Sequence, residues 1–201
     1  MTGKHLVRLR VNGTGHELLV EARRTLADML RHDLGYTGTN VGCEHGICGA
    51  CTVRLDGAPV RSCLVFGVQA DGAEVRTVEG LADGDELSDL QQAFRDHHAL
   101  QCGFCTPGFL MLAEAYFAER GLAQPGPAPG QPSSGAASKR PAGVAGDGAP
   151  ADDGAGPDGA GPDEPEIREL VASNLCRCTG YQGIVAAMLA TARSRRAASR
   201  E

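Results

Sequence analysis

The first part of the chain alternates apolar with charged residues, the pattern of a β-strand with one face in a core. The alternating residues are Val7, Arg8, Leu9, Arg10 and Val11. An Asn12-Gly13 pair follows them, and such pairs form the tight turns of β-hairpins. A second hairpin signal surrounds Asp56-Gly57, and residues 73–78 resemble one more short strand. This part of the chain is therefore predicted to build a small sheet.

One helix is predicted within this sheet-forming part. Behind Thr25, which is a suitable cap, apolar residues recur at helical spacing: Leu26, Met29, Leu30 and Leu34. Gly35 then provides a residue that suits a helix end. Strands and one helix together predict a small α+β domain over residues 1–79.

From residue 80 onward the apolar residues follow a helical period instead. The predicted helices run from Leu87 to near Leu100, from Thr106 to Gly121, from about Pro165 to Asn174, and from Thr179 to about Ala192. Thr106, Asp163 and Thr179 are predicted as caps of the last three, with Pro107 in the first turn of its helix. We expect residues 80–201 to form a second domain, a bundle of four helices.

A low-complexity segment separates the second and third of these helices. Residues 122–162 consist mainly of Gly, Pro, Ala, Ser and Asp, with Val144 almost the only sizeable apolar side chain. Such a segment buries too little apolar surface to offset the entropy lost on ordering. We therefore predict a disordered insert inside the helical domain.

Composition and charge narrow the classes of function. The 201 residues carry a formal net charge of -6, which argues against nucleic acid as the main partner. We interpret the basic stretch ARSRRAASR near the end as a solvated helix terminus. The sequence lacks the apolar core of a signal peptide and any run long enough to span a membrane, so we expect a cytoplasmic protein.

Eight cysteines in a reducing compartment favour metal or redox chemistry over disulfides. The first four are Cys43, Cys48, Cys51 and Cys63, spaced C-x4-C-x2-C-x11-C. The first two spacings, which join the first three cysteines, are those of a plant-type [2Fe-2S] loop. Glycines between them permit close approach of backbone N–H groups to a negatively charged cluster. A four-cysteine zinc site is the alternative, although zinc sites usually combine two C-x2-4-C pairs.

The other four cysteines occupy matching positions in two helical hairpins. Cys102 and Cys105 stand between the first two predicted helices, and Cys176 and Cys178 between the last two. If the hairpins pack about a pseudo-twofold axis, all four thiols meet at one end, beside helix N-termini that favour negative charge. A thioredoxin-like dithiol at CGFC, or structural zinc, are the alternatives.

Four stretches together carry a family resemblance: GCEHGICGACTVRLDG, RSC, QCGFCTPG and NLCRCTGYQGI. They resemble the iron–sulfur (small) subunit of the molybdenum hydroxylases, a family that includes xanthine dehydrogenase, aldehyde oxidoreductase and aerobic carbon monoxide dehydrogenase. The resemblance implies a plant-ferredoxin-like (β-grasp) domain and a four-helix-bundle domain, each with one [2Fe-2S] cluster. It implies Cys43, Cys48, Cys51 and Cys63 as ligands of one cluster, and Cys102, Cys105, Cys176 and Cys178 as ligands of the other.

The same resemblance implies partners and a further contact. It matches Gln101 to a glutamine that contacts the pterin and places Cys178 beside the pterin amino group. It implies a large molybdopterin-binding subunit, an FAD-binding medium subunit and a dimer of heterotrimers. The chain would then be the electron-transfer subunit of an oxidoreductase, relaying electrons from molybdopterin to FAD, with the substrate site on another chain. A free-standing ferredoxin-like electron carrier is the alternative function.

Overall fold

The computed structural model describes residues 3–123 and 161–199. Within them, five strands form one sheet: β1 (Lys4–Val11), β2 (Thr14–Glu21), β3 (Thr52–Leu55), β4 (Ala58–Arg61) and β5 (Glu74–Arg76). The strand order is β2-β1-β5-β3-β4, and only β1 and β5 among these neighbours run parallel. Both predicted hairpins are confirmed, and the short strand near residue 75 joins them into one sheet.

The predicted first helix is short and changes its winding. Helix α1 (Leu26–Asp28) continues into a π-helical turn, Met29–Asp33. The Thr25 hydroxyl accepts a hydrogen bond from the Asp28 N–H at 3.1 Å, which confirms the cap. Leu26, Met29 and Leu30 are fully buried in the core that also holds the alternating residues of β1.

Four more helices follow: α2 (Asp89–Asp96), α3 (Thr106–Glu119), α4 (Glu164–Val171) and α5 (Gln182–Ala198). They share one apolar core, to which all four contribute: Leu90, Phe94, Phe109, Phe117, Ile167, Val171, Ile184 and Met188. Helix α3 also packs against β3, so the helical part and the sheet are in direct contact. The described residues thus form a mixed α+β structure.

Two predicted helix caps are wrong. Cys105, not Thr106, precedes α3, and Thr106 is its first helical residue. Helix α5 begins only after Tyr181, which is left-handed with φ of 68°. The Thr179 hydroxyl instead accepts a hydrogen bond from the Tyr181 N–H at 3.1 Å. Gly180 and Tyr181 both have positive φ (62° and 68°), which a right-handed helix does not accommodate, so the helix starts only after them. Asp163 is confirmed as the cap of α4.

The interpretation of the basic stretch ARSRRAASR as solvated is wrong for one residue. The Arg195 side chain is buried and hydrogen-bonded to Asp89 and Glu114. The predicted insert, residues 122–162, falls mostly on residues 124–160, which lie outside the described part. In the described ranges, no helix has both the length and the apolar composition needed to cross a membrane.

Candidate metal centres

The β3–β4 hairpin brings two cysteines of the first set to the same end. Cys51 directly precedes β3, and Cys63 follows β4 in a short 3-10 turn. The strands pair with Thr52 opposite Arg61, so their flanking residues are neighbours. The Ser62 N–H and hydroxyl both bond to the Cys51 carbonyl, at 3.3 and 2.7 Å. The sheet therefore fixes this pair, and both cysteines are buried.

The loop ahead of β3 stabilises a thiolate. The Cys48 N–H lies 3.4 Å from the Cys43 sulfur. Backbone hydrogen bonds from Cys48 and then from His45, against an opposing effect of burial, lower the pKa of Cys43 to about 6. The thiolate is the form that binds a metal. The loop thus favours the thiolate form of Cys43.

The pKa of Cys63 is shifted in the opposite direction, upward. Burial, followed by the hydrogen bond to the Cys51 thiol and by the charges of Cys51 and Cys43, raises the pKa of Cys63 to about 12. These three thiols are therefore close enough to resist ionising together. Metal binding displaces such protons, because only the deprotonated thiols are ligands. The structure thus brings Cys43, Cys51 and Cys63 near one another, and the binding of one cluster by all four cysteines stays a prediction.

The second set is divided between two loops that meet. Cys102 and Cys105 lie between α2 and α3, and Cys176 and Cys178 lie between α4 and α5. The Cys102 and Cys178 sulfurs are 3.6 Å apart. Burial, then the hydrogen bond to Cys176 and its charge, raise the pKa of Cys105 to about 12. Each loop therefore contributes one thiol to each of two pairs.

Paired thiols fit a [2Fe-2S] core, which divides four thiolates between two irons. Two thiolates at ~2.3 Å from one tetrahedral ion lie ~3.8 Å apart, close to the 3.6 Å between the Cys102 and Cys178 sulfurs. In residues 3–123 and 161–199, no three His, Cys, Asp or Glu side chains converge around one point suited to a single ion. The Thr106 hydroxyl, next to Cys105 in the chain, is buried without a hydrogen-bond partner in the described residues.

Two glycines let the first loop pack closely. A Cβ on Gly42 would lie 3.3 Å from the Cys48 sulfur and from the Phe104 ring. A Cβ on Gly49, whose φ is +71°, would lie 2.1 Å from Asn174 Oδ1. Because real atoms do not approach so closely, only glycine fits at residue 49 without a rearrangement.

The two sets of cysteines are in contact through their loops, which we name the first cysteine loop (residues 42–51) and the second cysteine loop (residues 173–181). Three consecutive residues of the second make hydrogen bonds to the sheet and the first loop. The bonds run from Arg61 Nη2 to the Ser173 carbonyl (2.7 Å), from Asn174 Nδ2 to the Gly49 carbonyl (3.2 Å) and from the Leu175 N–H to the Cys48 carbonyl (2.9 Å). The two loops are therefore joined by one backbone and one side-chain hydrogen bond, and Arg61 attaches the second loop to the sheet.

Sequence reasoning missed these bridging residues. Asn174 was predicted only as a helix end, and Tyr181 only as a residue inside the last predicted helix. A single signal could have pointed to Asn174: a polar amide stands directly between an apolar helix pattern and the C-R-C motif. Gln101 is exposed and directly precedes Cys102, and its contact with a pterin stays a prediction.

Comparison with known proteins agrees with the cysteine pattern. A family model described as a 2Fe-2S iron-sulfur cluster binding domain matches residues 9–102, and one described as a [2Fe-2S] binding domain matches residues 77–189. The chain is 44% identical to the caffeine dehydrogenase subunit gamma of a Pseudomonas species, over 92% of this chain and 89% of that one. It is 45% identical to the nicotine 6-hydroxylase small subunit of Paenarthrobacter nicotinovorans, over 91% and 87% of the two chains.

Solved structures of known proteins also match this chain. The crystal structure of quinoline 2-oxidoreductase from Pseudomonas putida 86 matches with a TM-score of 0.73 and 40% identity, over 96% of this chain and 97% of that chain. The aldehyde oxidoreductase from Desulfovibrio desulfuricans also matches with a TM-score of 0.73, but over only 17% of its longer chain. The motifs, the family models and these relatives agree. The chain therefore belongs to the iron–sulfur subunits of the molybdenum hydroxylases, a family of oxidoreductases.

Proposed function

We propose that this chain relays electrons between a molybdopterin centre on a large subunit and FAD on a medium subunit, through two [2Fe-2S] clusters. The ligands of one cluster would be Cys43, Cys48, Cys51 and Cys63, and those of the other Cys102, Cys105, Cys176 and Cys178. The boundary between a ferredoxin-like β-grasp domain and a four-helix-bundle domain would fall after residue 79. When bound, each cluster accepts and donates one electron at a time.

The hydrogen bond from the Leu175 N–H to the Cys48 carbonyl carries this proposal. Cys48 belongs to the first set of cysteines, and Leu175 directly precedes Cys176 of the second. At 2.9 Å the bond has ordinary strength and length. One hydrogen bond and a few covalent bonds therefore join a ligand of one cluster to a ligand of the other. Such contact favours a relay within the chain over two unrelated metal sites.

The chain also prepares both sites for negative charge. In the first, backbone N–H groups face the Cys43 sulfur and lower its pKa. In the second, Cys176 lies 3.1 Å from the Thr179 hydroxyl, and although burial opposes the shift, hydrogen bonds from Thr179 lower the pKa of Cys176. Donors of this kind stabilise thiolates, and they stabilise a cluster that gains an electron.

Exposed apolar side chains support a partner at each site. Near the first cysteine loop Ile47 and Leu64 are 62% and 58% exposed, and near the second set Phe104 and Leu175 are 49% and 53% exposed. Large exposed apolar groups that cluster at a functional site are typical of protein interfaces. The relatives named as gamma and small subunits work as parts of larger assemblies. We propose that this chain is likewise part of a larger assembly, a cytoplasmic dimer of heterotrimers. In it, Gln101 would face the molybdopterin side.

Purification with its partner subunits tests the proposal. We expect about four iron atoms and four acid-labile sulfides per chain, since each [2Fe-2S] cluster holds two of each. After reduction with dithionite, two distinct rhombic EPR signals should appear. A colourless preparation with stoichiometric zinc would contradict the cluster assignment. Isolation of a red-brown chain that never associates with a molybdenum or flavin subunit would favour the free-standing carrier instead.

A further inference from the structure

A buried amide connects the two cysteine loops. Asn174 is 1% exposed, although its side chain is polar. Its Nδ2 donates to the Gly49 carbonyl at 3.2 Å, between Cys48 and Cys51 in the chain. The space above Gly49 is filled by this side chain, since a Cβ there would lie 2.1 Å from Asn174 Oδ1. Leaving a buried amide N–H without an acceptor costs free energy, so the Asn174 side chain and the Gly49 carbonyl keep a fixed position relative to each other.

A tyrosine hydroxyl closes the second cysteine loop on itself. The Tyr181 hydroxyl donates to the Asn174 carbonyl at 3.1 Å and accepts from the Cys176 N–H at 2.9 Å. Tyr181 reaches this position with a left-handed backbone (φ 68°), which is unfavourable for a non-glycine residue. Its ring packs edge-on against Phe109 of α3, with 6.1 Å between ring centroids. The phenol hydroxyl therefore pairs with both the Asn174 carbonyl and the Cys176 N–H, two backbone groups that would otherwise need partners.

These three hydrogen bonds are linked through the covalent frame of Asn174. The series runs from the Gly49 carbonyl to the Asn174 side chain, from the Asn174 carbonyl to the Tyr181 hydroxyl, and from there to the Cys176 N–H. The backbone bond between Leu175 and Cys48 lies alongside it. Residues that orient ligands from outside the ligand set tune metal sites strongly.

We propose that Asn174 and Tyr181 are positioning residues that hold the two cysteine loops, and hence the two clusters, at a fixed separation and orientation. This inference rests on the proposed function, because it needs both clusters. Neither side chain is a ligand. Asn174 fixes the position of the second cysteine loop relative to the first. The Tyr181 hydroxyl bonds both the Asn174 carbonyl and the Cys176 N–H, so the position of Cys176 follows that of Asn174. Loss of either contact allows the loops to shift relative to each other while all eight thiols remain.

EPR of the reduced complex tests the inference by a readout other than turnover. When both clusters are reduced, their spins interact, and the dipolar splitting varies with the inverse cube of their separation and with their relative orientation. We expect Asn174→Ala and Tyr181→Phe to retain both signals but to change this splitting. We also expect Tyr181→Phe to shift the g values of the second cluster, because the Cys176 N–H loses its acceptor.

Two control variants match the changes without touching the loops. Tyr116→Phe also removes one phenolic oxygen from a buried tyrosine, and that oxygen has no hydrogen-bond partner in the described residues. Asn12→Ala also removes an amide with two hydrogen bonds, both of them to Thr77 at 2.9 Å. Both controls should keep the wild-type splitting, even where Asn12→Ala lowers the melting temperature.

The outcomes separate the two proposals. Wild-type splitting in both Asn174→Ala and Tyr181→Phe would overturn the positioning role and leave the proposed function intact. Absence of a second cluster signal in the wild-type complex would instead refute the proposed function itself. If Asn174→Ala does not assemble, Tyr181→Phe alone decides, since it removes a single oxygen atom.

Discussion

The Arg195 guanidinium on α5 lies 2.6 Å from the Glu114 carboxylate on α3, and these residues are only 5% and 4% exposed. Arg195 also forms two bonds of 2.7 Å to Asp89 at the start of α2 and one of 3.0 Å to the Leu122 carbonyl. Although burial opposes it, the bonds to Asp89 and Glu114 raise the pKa of Arg195, so it stays charged. A single side chain therefore ties three helices together.

Replacing Arg195 by methionine should destabilise the chain strongly. The change leaves the Glu114 carboxylate buried and unpaired, which costs about 3–5 kcal/mol. For a chain of this size that is a fall of roughly 6–20 °C in the melting temperature. Differential scanning calorimetry of the complex measures it. Arg193→Met is the control, because Arg193 is exposed on the same helix.

A double variant separates charge from packing. If the unpaired carboxylate causes the loss, Glu114→Leu in the Arg195→Met background should recover part of the stability. A melting temperature of Arg195→Met equal to that of Arg193→Met would contradict the role of the buried pair.

Gly49→Ala should disrupt the first cysteine loop. The new Cβ meets Asn174 Oδ1 at 2.1 Å, and the left-handed backbone adds about 1–2 kcal/mol of strain. Gly13→Ala carries the same kind of strain at φ +82°, but nothing lies within 4 Å of its Cβ. Melting temperatures and the EPR signal of the first cluster should therefore fall much further for Gly49→Ala. Equal effects of the two substitutions would show that strain, and not contact with Asn174, dominates.

Much of the fold follows from local patterns in the sequence. Alternation in β1 and the helical stripes of α2 to α5 each reflect burial of one face, and burial is periodic along the chain. The approach of the two hairpins, seen in the 3.6 Å between the Cys102 and Cys178 sulfurs, was predicted from their matching order of helices and cysteines, although the choice of these two thiols was not. Both inferences needed only spacing.

The parts that were missed depend on contacts between distant segments. Nothing in the local sequence distinguishes Arg195 from an exposed arginine. Only the fold brings Asp89 and Glu114 close to it. Tyr181 fits a helical stripe by spacing, yet the cysteine loop holds it outside the helix in a left-handed turn. Tertiary structure overrides local propensity in both cases.

Tyr116 should make the chain sensitive to alkali. Burial, opposed by the nearby charge of Arg120, raises the pKa of Tyr116 to about 12. The unfolded value is about 10, so the folded state favours the neutral phenol. Its contribution to stability is complete below pH 10 and is lost as pH rises from 10 towards 12. Tyr116→Phe should show a smaller fall in melting temperature over that window. Parallel falls in both proteins would contradict the prediction.

Deleting residues 125–160 should leave both cysteine sets functional. The described residues at either side of this segment are held independently of it. Arg120 pairs with Glu166 across the ends of α3 and α4, and Arg195 holds the Leu122 carbonyl at 3.0 Å. With a short Gly-Ser linker in place of the segment, iron content and both EPR signals should match the wild type. Loss of the second signal alone would indicate that the segment is needed to bring α3 and α4 together.

Cys102→Ser should remove one cluster and spare the other. Cys102 pairs with Cys178 at 3.6 Å in the second set, whereas the first set is held by the β3–β4 hairpin and its preceding loop. We therefore expect loss of the EPR signal of the second cluster, retention of the first, and no reduction of flavin by substrate. Cys48→Ser is the matched variant, and it should show the opposite pattern of signals. Persistence of both signals in Cys102→Ser would show that the ligand assignment of the second cluster is wrong, whereas loss of both would mean that neither cluster forms without the other.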